Sequence, residues 1–522
     1  MCGIAVLVGP GAATHRADFA AMLATVAPRG EVEETLTDDD ALLGTHRLKI
    51  VDRDHAVQPW RSADERWAMS YNGEVFNFAA LREDLVADGV ALRSHSDTEV
   101  VLEAVLAWGE KALLRLRGEF AFALVDREGG RVFLARDPAG VKPLYWAMAG
   151  GRLAVASEVK ALAPLGVPVH EVAPGHCGWA EPGRTPELAP YLDLGRLGDD
   201  QPEITDLDEA VALVRQTYRD AVRVRVDTDL TVGVILSGGL DSSLTLLQVR
   251  ELHPDCVAFT VGTEGSPDLA FARRLTAELG VRHEVVTVRP RDLGLAEVRE
   301  AIRVSEVTEH GDVINAVVSM KLFDLVRRHG VKVVLTGDGS DELFGGYDMY
   351  RNVSPEQSRA LFLHKIRHLS RTELQRVDRT SMGHGVEARV PYLDPEMLSL
   401  AMRLPASMKS RDGYEKWILR HAFADVLPDY IRDRHKHPMS HSSGLHERIR
   451  LYQPLFARIY RSFGYEVLGP MRRDFWRTLQ DVDHDVERAI VAAEDPRDLS
   501  PLEHARDFAG ALKWNLIGAL KR

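Results

Sequence analysis

Val232-Gly233-Val234-Ile235-Leu236-Ser237-Gly238-Gly239-Leu240-Asp241-Ser242-Ser243 runs from a short apolar stretch through a doubled glycine into a polar one. The apolar part reads as a buried strand over 232–236, and a helix is expected to begin near Ser242. Glycines let backbone N–H groups close on an anion, a helix N-terminus adds partial positive charge, and the serines supply further donors. A phosphate cradle is therefore expected here. It is not a Walker A loop, since no Gly-Lys-Ser/Thr follows. The same rhythm continues downstream. Strands at 257–261 and 283–288 flank a helix at 269–279, and a long helical stretch leads to a short apolar run at 331–335 that enters another glycine loop. Strands alternating with helices predict parallel βαβ units, with ligands at the carboxyl ends of the strands. From about residue 354 the pattern is mostly helical.

Upstream the pattern differs. Short extended runs at 2–8, 67–71, 120–125, 132–135 and 153–156 are separated by turns, with helical patterning only near 78–87 and 99–108. This predicts a mixed α+β half with antiparallel sheet. The polar segment from Gly195, rich in Gly, Asp and Pro, reads as a linker. The expected division is a first domain over 1–194, a linker over 195–208 and a second domain over 209–522. A chain of 522 residues is too long for one ordinary core. Its formal net charge of −13 opposes nonspecific binding to nucleic acid or to anionic membranes. Three cysteines cannot make a disulfide framework, which points to a reducing compartment. Neither a signal peptide nor an apolar stretch of membrane-spanning length is evident, so a cytoplasmic location is expected.

Cys2 has a chemical option that other cysteines lack. Removal of Met1 would leave a free α-amine beside the thiol, with a reference pKa of about 7.7–8 against about 8.5 for the thiol. That amine can serve, directly or through water, as the base that activates the nucleophile. An isolated Met-Cys is as well explained by a small residue opening a first strand, so the surrounding sequence decides.

Cys2-Gly3-Ile4 is followed in order by Arg47-Leu48-Lys49-Ile50-Val51-Asp52, Gln58-Pro59, Tyr71-Asn72-Gly73-Glu74, Ser96-Asp97-Thr98-Glu99, Gly118-Glu119-Phe120-Ala121-Phe122-Ala123, Arg136-Asp137, Lys142-Pro143-Leu144-Tyr145 and Ser157-Glu158-Val159-Lys160. In this the chain resembles the class II glutamine amidotransferases. The resemblance implies an Ntn-type αββα sandwich in which Cys2 attacks the side-chain amide of glutamine. Asn72 and the Gly73 N–H would form the oxyanion hole, and Arg47, Val51, Glu74 and Asp97 would hold the amino acid. The family usually shows Arg-His-Arg-Gly-Pro-Asp near the end of its first helix. Here Ala27-Pro28-Arg29-Gly30-Glu31 keeps only the Arg-Gly pair.

Ser237-Gly238-Gly239-Leu240-Asp241-Ser242 resembles the SGGxDS loop of ATP pyrophosphatases. With Thr336-Gly337-Asp338-Gly339-Ser340-Asp341-Glu342-Leu343-Phe344-Gly345-Gly346-Tyr347, Gly385-Val386-Glu387-Ala388-Arg389-Val390-Pro391, Glu415-Lys416-Trp417, and Arg434 with Lys436, it resembles the asparagine synthetase B type. The resemblance covers roughly residues 2–445. It implies that Leu236, Ser237, Gly238, Gly239, Asp241, Ser242, Val261, Thr336 and Gly337 bind ATP. Asp241 and Asp341 would hold Mg²⁺, and Lys416 would neutralise departing pyrophosphate. Asp338 stands where these synthetases usually carry the glutamate linked to incoming ammonia. The run His435-Lys436-His437-Pro438-Met439-Ser440-His441 reads as a polar loop rather than a metal site, since its spacing fits no helix face.

One stretch departs from the pattern. Where asparagine synthetases show Thr-Ile-Arg-Ala-Ser-x-Pro near the acceptor pocket, this chain has Asp312-Val313-Ile314-Asn315-Ala316-Val317-Val318-Ser319. The arginine becomes Ile314 and the proline Val318, while Glu306, Glu309 and His310 are expected to line a differently charged pocket. The expected function is a two-step amide synthesis of the kind used in asparagine biosynthesis. Glutamine is hydrolysed at Cys2, a carboxylate is adenylated with Mg–ATP, and ammonia, delivered through the interior, displaces AMP. The partners are small molecules: glutamine, ATP and an acceptor acid, with aspartate one candidate. A homodimer is left open. The rival readings are a specialised-metabolism amidotransferase acting on another acid or amine, and a catalytically silent binding protein. β-Lactam-forming relatives lack the N-terminal nucleophile, so Cys2 counts against that branch.

Overall fold

The computed structural model describes residues 1–198, 200–307, 310–347, 350, 355–435 and 445–465. The chain falls into two compact units, one built on Met1–Leu197 with Met382–Glu387, the other on Gly198–Ser381 with Ala388–Phe463.

The first unit has two six-stranded sheets. Cys2–Val8 is a central strand of one, pairing antiparallel with Ala41–Arg47 and Arg152–Ala156. Its uninterrupted apolar sequence follows from burial on both faces. Cys2, Ile4, Val6 and Val8 point one way, into a core shared with Ala68, Ala121, Val125 and Leu134. On the opposite face a Cβ at Gly3 would stand 2.6 Å from the Val26 carbonyl oxygen, so only glycine fits beneath the end of helix Arg16–Thr25. Helices Arg16–Thr25 and Val159–Leu162 lie on this sheet; helix Asp97–Trp108, with Phe78–Ala87 packed beside it, lies on the other. The result is a four-layer αββα sandwich.

The strand Trp67–Val75 runs beside Gly118–Asp126 in the second sheet, with Asn72 opposite Ala121 and Gly73 opposite Phe120. Asn72-Gly73 is therefore part of a ladder and not a hairpin turn. A Cβ at Gly73 would lie 2.4 Å from the Glu119 carbonyl oxygen.

In the second unit Val232–Ile235 lies between Val257–Gly262 and Val333–Leu335, all parallel, with Arg282–Thr287 outside Val257–Gly262. The chain thus builds outward from Val232–Ile235 in one direction and later returns to its other side. Such a reversal of strand order opens a crevice at the strands' carboxyl ends. The two loops leaving this crevice are the two glycine loops singled out in the sequence. Helix Leu240–Leu252 begins two residues before its expected start. Helix Pro267–Leu279 is held by the Ser266 hydroxyl on the Leu269 N–H, Pro267 in its first turn and Gly280 with φ 66° at its end. The later part of the unit is mainly helical, including Pro355–Leu369, Gln375–Met382 and Pro395–Arg403. Among the described residues no helix is long and apolar enough to cross a membrane.

Candidate functional site

At the head of its strand Cys2 is 3% exposed, and its N–H donates to Asn72 Oδ1 at 3.0 Å. That bond fixes the Asn72 amide, whose Nδ2 is buried with no hydrogen-bond partner in the protein. A buried donor left unsatisfied costs free energy unless something else accepts from it. Together with the Gly73 N–H in the same strand, it is suited to an oxyanion that forms next to Cys2. Arg29 anchors the other side: its Nε donates to the Cys2 carbonyl at 3.0 Å and its Nη1 to Glu158 at 2.7 Å. The Arg-Gly pair that survives in the altered loop is thus structural at this point, because a Cβ on Gly30 would meet the His46 carbonyl oxygen at 2.3 Å.

A small cavity of about 30 Å³ adjoins the thiol, lined by Cys2, Arg47, Val51, Gly73, Glu74 and Asp97 with Met1, Gln58 and Thr98. This is room for little more than a water, and Met1 is among the residues that bound it. The Cys2↔Arg47 register places thiol and guanidinium on adjacent strands. Arg47 Nε contacts Glu34 Oε2 at 3.2 Å, a partner the sequence did not reveal. Burial raises the Cys2 thiol pKa, opposed by the N-terminal ammonium, the Leu48 N–H and Arg47. Burial likewise lifts Asp97 to about 6, although Tyr71 Oη at 2.9 Å and the Val75 N–H at 3.2 Å donate to its carboxylate. An ammonium can be held only by the ionised form. If Asp97 takes the ammonium of glutamine, kcat/KM for glutamine should break at about pH 6 and fall an additional tenfold or about that per pH unit below it, beyond the slope set by the α-amine of Cys2. Initial rates across that range check this, and a flat profile down to pH 5 would refute it.

The second cavity, about 330 Å³, opens in the switch-point crevice and is lined by Ser237, Gly239, Asp241, Ser242, Thr336, Gly337, Asp338, Asp341 and Lys416, among others. Ser242 Oγ accepts from the Ser237 N–H at 3.0 Å, and Ser237 Oγ accepts from the Gly239 N–H at 3.2 Å, so the loop is tied to its helix. Gly238 has φ 76°, and a Cβ there would lie 2.5 Å from the Asp268 carbonyl oxygen. Lys416 is the hub. Its Nζ lies 2.5 Å from Asp241 Oδ2 and 2.6 Å from Asp341 Oδ1. Burial works against its charge, but the two carboxylates outweigh that and raise its pKa. At Gly346 a Cβ would meet Asp341 Oδ1 at 1.7 Å and Lys416 Cε at 2.4 Å, so no side chain can enter. Two hard-oxygen carboxylates converging on one positive charge suit a magnesium ion, which takes a few oxygens from protein and the rest from phosphate and water.

Of the expected nucleotide residues, Leu236, Gly238 and Val261 are not among those lining this cavity. Leu236 is 1% exposed and its carbonyl accepts from Thr260 Oγ1 at 2.7 Å. The expected pocket role of Glu306 is not met. It is fully buried and its carboxylate takes the Arg379 Nε at 3.1 Å, because a buried acid needs a cation more than a cavity. Glu309 lies outside the described residues, as do Lys436 to His441; His435 lines the cavity. The residues found instead are Asn315, Ser319, Glu373 and Arg376. Glu373 and Arg376 are three apart, the spacing of a helical ion pair, and that was the available signal.

Fold and sites define a two-part chain: an αββα sandwich with a buried thiol at position 2, joined to a parallel-sheet unit with a glycine cradle over paired carboxylates. The glutamine amidotransferase domain family matches residues 1–174, and the asparagine synthase family matches 213–361 and 352–503. Asparagine synthetase B [glutamine-hydrolyzing] of Escherichia coli (strain K12) is 33% identical over 78% of this chain and 75% of its own. Asparagine synthetase [glutamine-hydrolyzing] 3 of Arabidopsis thaliana is 34% identical over 78% and 72%, and the Gallus gallus asparagine synthetase [glutamine-hydrolyzing] 32% over 84% of each. The chain belongs to the glutamine-hydrolysing asparagine synthetase family.

Proposed function

We propose that this protein is a glutamine-dependent, ATP-consuming amide synthetase with the work divided between its two units. In the first, the α-amine of Cys2, once Met1 is removed, takes the thiol proton as the sulfur attacks the glutamine amide carbon, and returns it to the nitrogen that leaves as ammonia when the thioester forms. Asn72 Nδ2 and the Gly73 N–H receive the oxyanion, while Arg47, Val51, Glu74 and Asp97 hold the amino acid's polar end. Water then releases glutamate from the thioester, and ammonia is left.

In the second unit the cradle of Ser237, Gly239 and Ser242 would grip the phosphates, with Thr336 and Gly337 on the adenosine side and Leu236, Gly238 and Val261 behind the cavity lining. Asp241 and Asp341 would hold Mg²⁺, which when bound neutralises charge on the phosphates. An acceptor carboxylate displaces pyrophosphate from ATP, Lys416 balances the charge that leaves, and ammonia displaces AMP to form the amide. Asp338, which lines the same cavity, would take a proton from the incoming ammonia. The observation that carries this reading is the convergence of Lys416 on Asp241 and Asp341 beside a glycine cradle. Product analysis tests it. Turnover with an acceptor acid is expected to yield AMP and pyrophosphate; ADP and phosphate would reject it.

A further inference from the structure

Around Arg376 the larger cavity has a charge balance that bears on the acceptor. Arg376, 7% exposed, spans it: one Nη2 lies 2.6 Å from Glu373 Oε2 and 3.4 Å from Asp338 Oδ1, and Nη1 donates to Ser319 Oγ at 3.3 Å. One guanidinium therefore faces two carboxylates. The other described cations of the cavity are also committed: Lys416 to Asp241 and Asp341, Arg420 to Glu415 at 2.6 Å, and Arg434 to Asp268. Ile314, on the helix His310–Arg328 that forms this wall, is fully buried and brings no charge. Asn315 and Ser319, four residues apart on one face of that helix, line the cavity instead. Two polar atoms here lack a partner within the protein, Arg376 Nε and Asn315 Oδ1.

We propose that Arg376, Glu373, Asp338 and Asn315 select an acceptor acid bearing an amino group, and that no second carboxylate is recognised. This rests on the reading of the cavity as the site of carboxylate adenylation. The ammonium of such an acid offsets the surplus negative charge of Glu373 and Asp338 and donates to the Asn315 amide oxygen. An oxygen of its reacting carboxyl accepts from Arg376 Nε–H. A second carboxylate would be repelled by Glu373 and Asp338 and would find every described cation already paired.

The test uses the full chain with Mg–ATP and ammonium chloride, reading pyrophosphate release over matched sets of acids. One set is β-alanine, succinate and L-aspartate; the other is γ-aminobutyrate, glutarate and L-glutamate. Within a set, the acid with only the amino group should have the highest kcat/KM and the dicarboxylic acid should fall about 100-fold below it. Parity between those two overturns the proposal, as does an acid carrying both groups that exceeds the amino acid about tenfold. Turnover of none, by enzyme that still binds ATP and hydrolyses glutamine, also overturns it but leaves the two-unit reading standing. Loss of ATP binding as well would defeat that reading itself. Glu373→Gln should raise KM for the preferred acid about tenfold with KM for ATP unchanged. Equal loss in both would mean that Glu373 serves only to hold Arg376.

Discussion

Cys2→Ala abolishes glutamine-dependent amide synthesis while ammonium chloride still supports full ATP cleavage to AMP. The expectation follows from where the thiol sits. Cys2 opens a strand buried along its whole length, in register with Arg47 and with its N–H 3.0 Å from Asn72 Oδ1, and its thiol is the only one among the residues that line the smaller cavity. Trimming sulfur to a methyl hydrogen at this terminal position removes few core contacts, and the strand's other apolar residues remain. Stability should hold, and glutamine hydrolysis should drop by roughly 10⁴-fold or more, as it does when a lone nucleophile is deleted. Parallel assays of glutamate and AMP formation decide it. If added ammonia fails to restore AMP formation, the two chemistries are not separable as proposed.

Asp241→Ala gives the converse. Its carboxylate accepts from Ser340 Oγ at 2.7 Å through one oxygen and from Lys416 through the other. Removing it leaves Lys416 with Asp341 alone and takes away one of the two oxygen donors proposed for magnesium. We expect pyrophosphate release to fall on the order of a thousandfold, equivalent to about 4 kcal/mol of transition-state stabilisation, with glutamine hydrolysis at the parent rate. Asp241→Asn, which keeps the shape and one acceptor oxygen but sets a donor in place of the other, should be nearly as impaired, because the charge is lost with it. A variant that releases pyrophosphate within about fivefold of the parent would rule the loop out as the phosphate site.

The parts of the fold that could be read from sequence are those whose pattern is set locally. Cys2–Val8 and Val232–Ile235 are buried on both faces, so they stand out as unbroken apolar runs. Ala41–Arg47 does not stand out, because Thr45, His46 and Arg47 make it look polar although all seven residues are buried. The glycine loops and Cys2 carried their chemistry in their own residue types. Arg376 did not. Its partners Ser319 and Asp338 are 57 and 38 positions away, and no local pattern couples such distances. Glu306 reads as a pocket residue for the same reason, since its cation, Arg379, is 73 residues distant.

The pairing of Cys2 with Arg47 across two hydrogen-bonded strands has one more consequence. On the proposed reading, the sulfur and the cation that takes the amino acid's carboxylate are both mounted on a rigid backbone ladder, so their separation behaves as a ruler. Asparagine, one methylene shorter, cannot reach both ends at once, and discrimination against it needs no moving part.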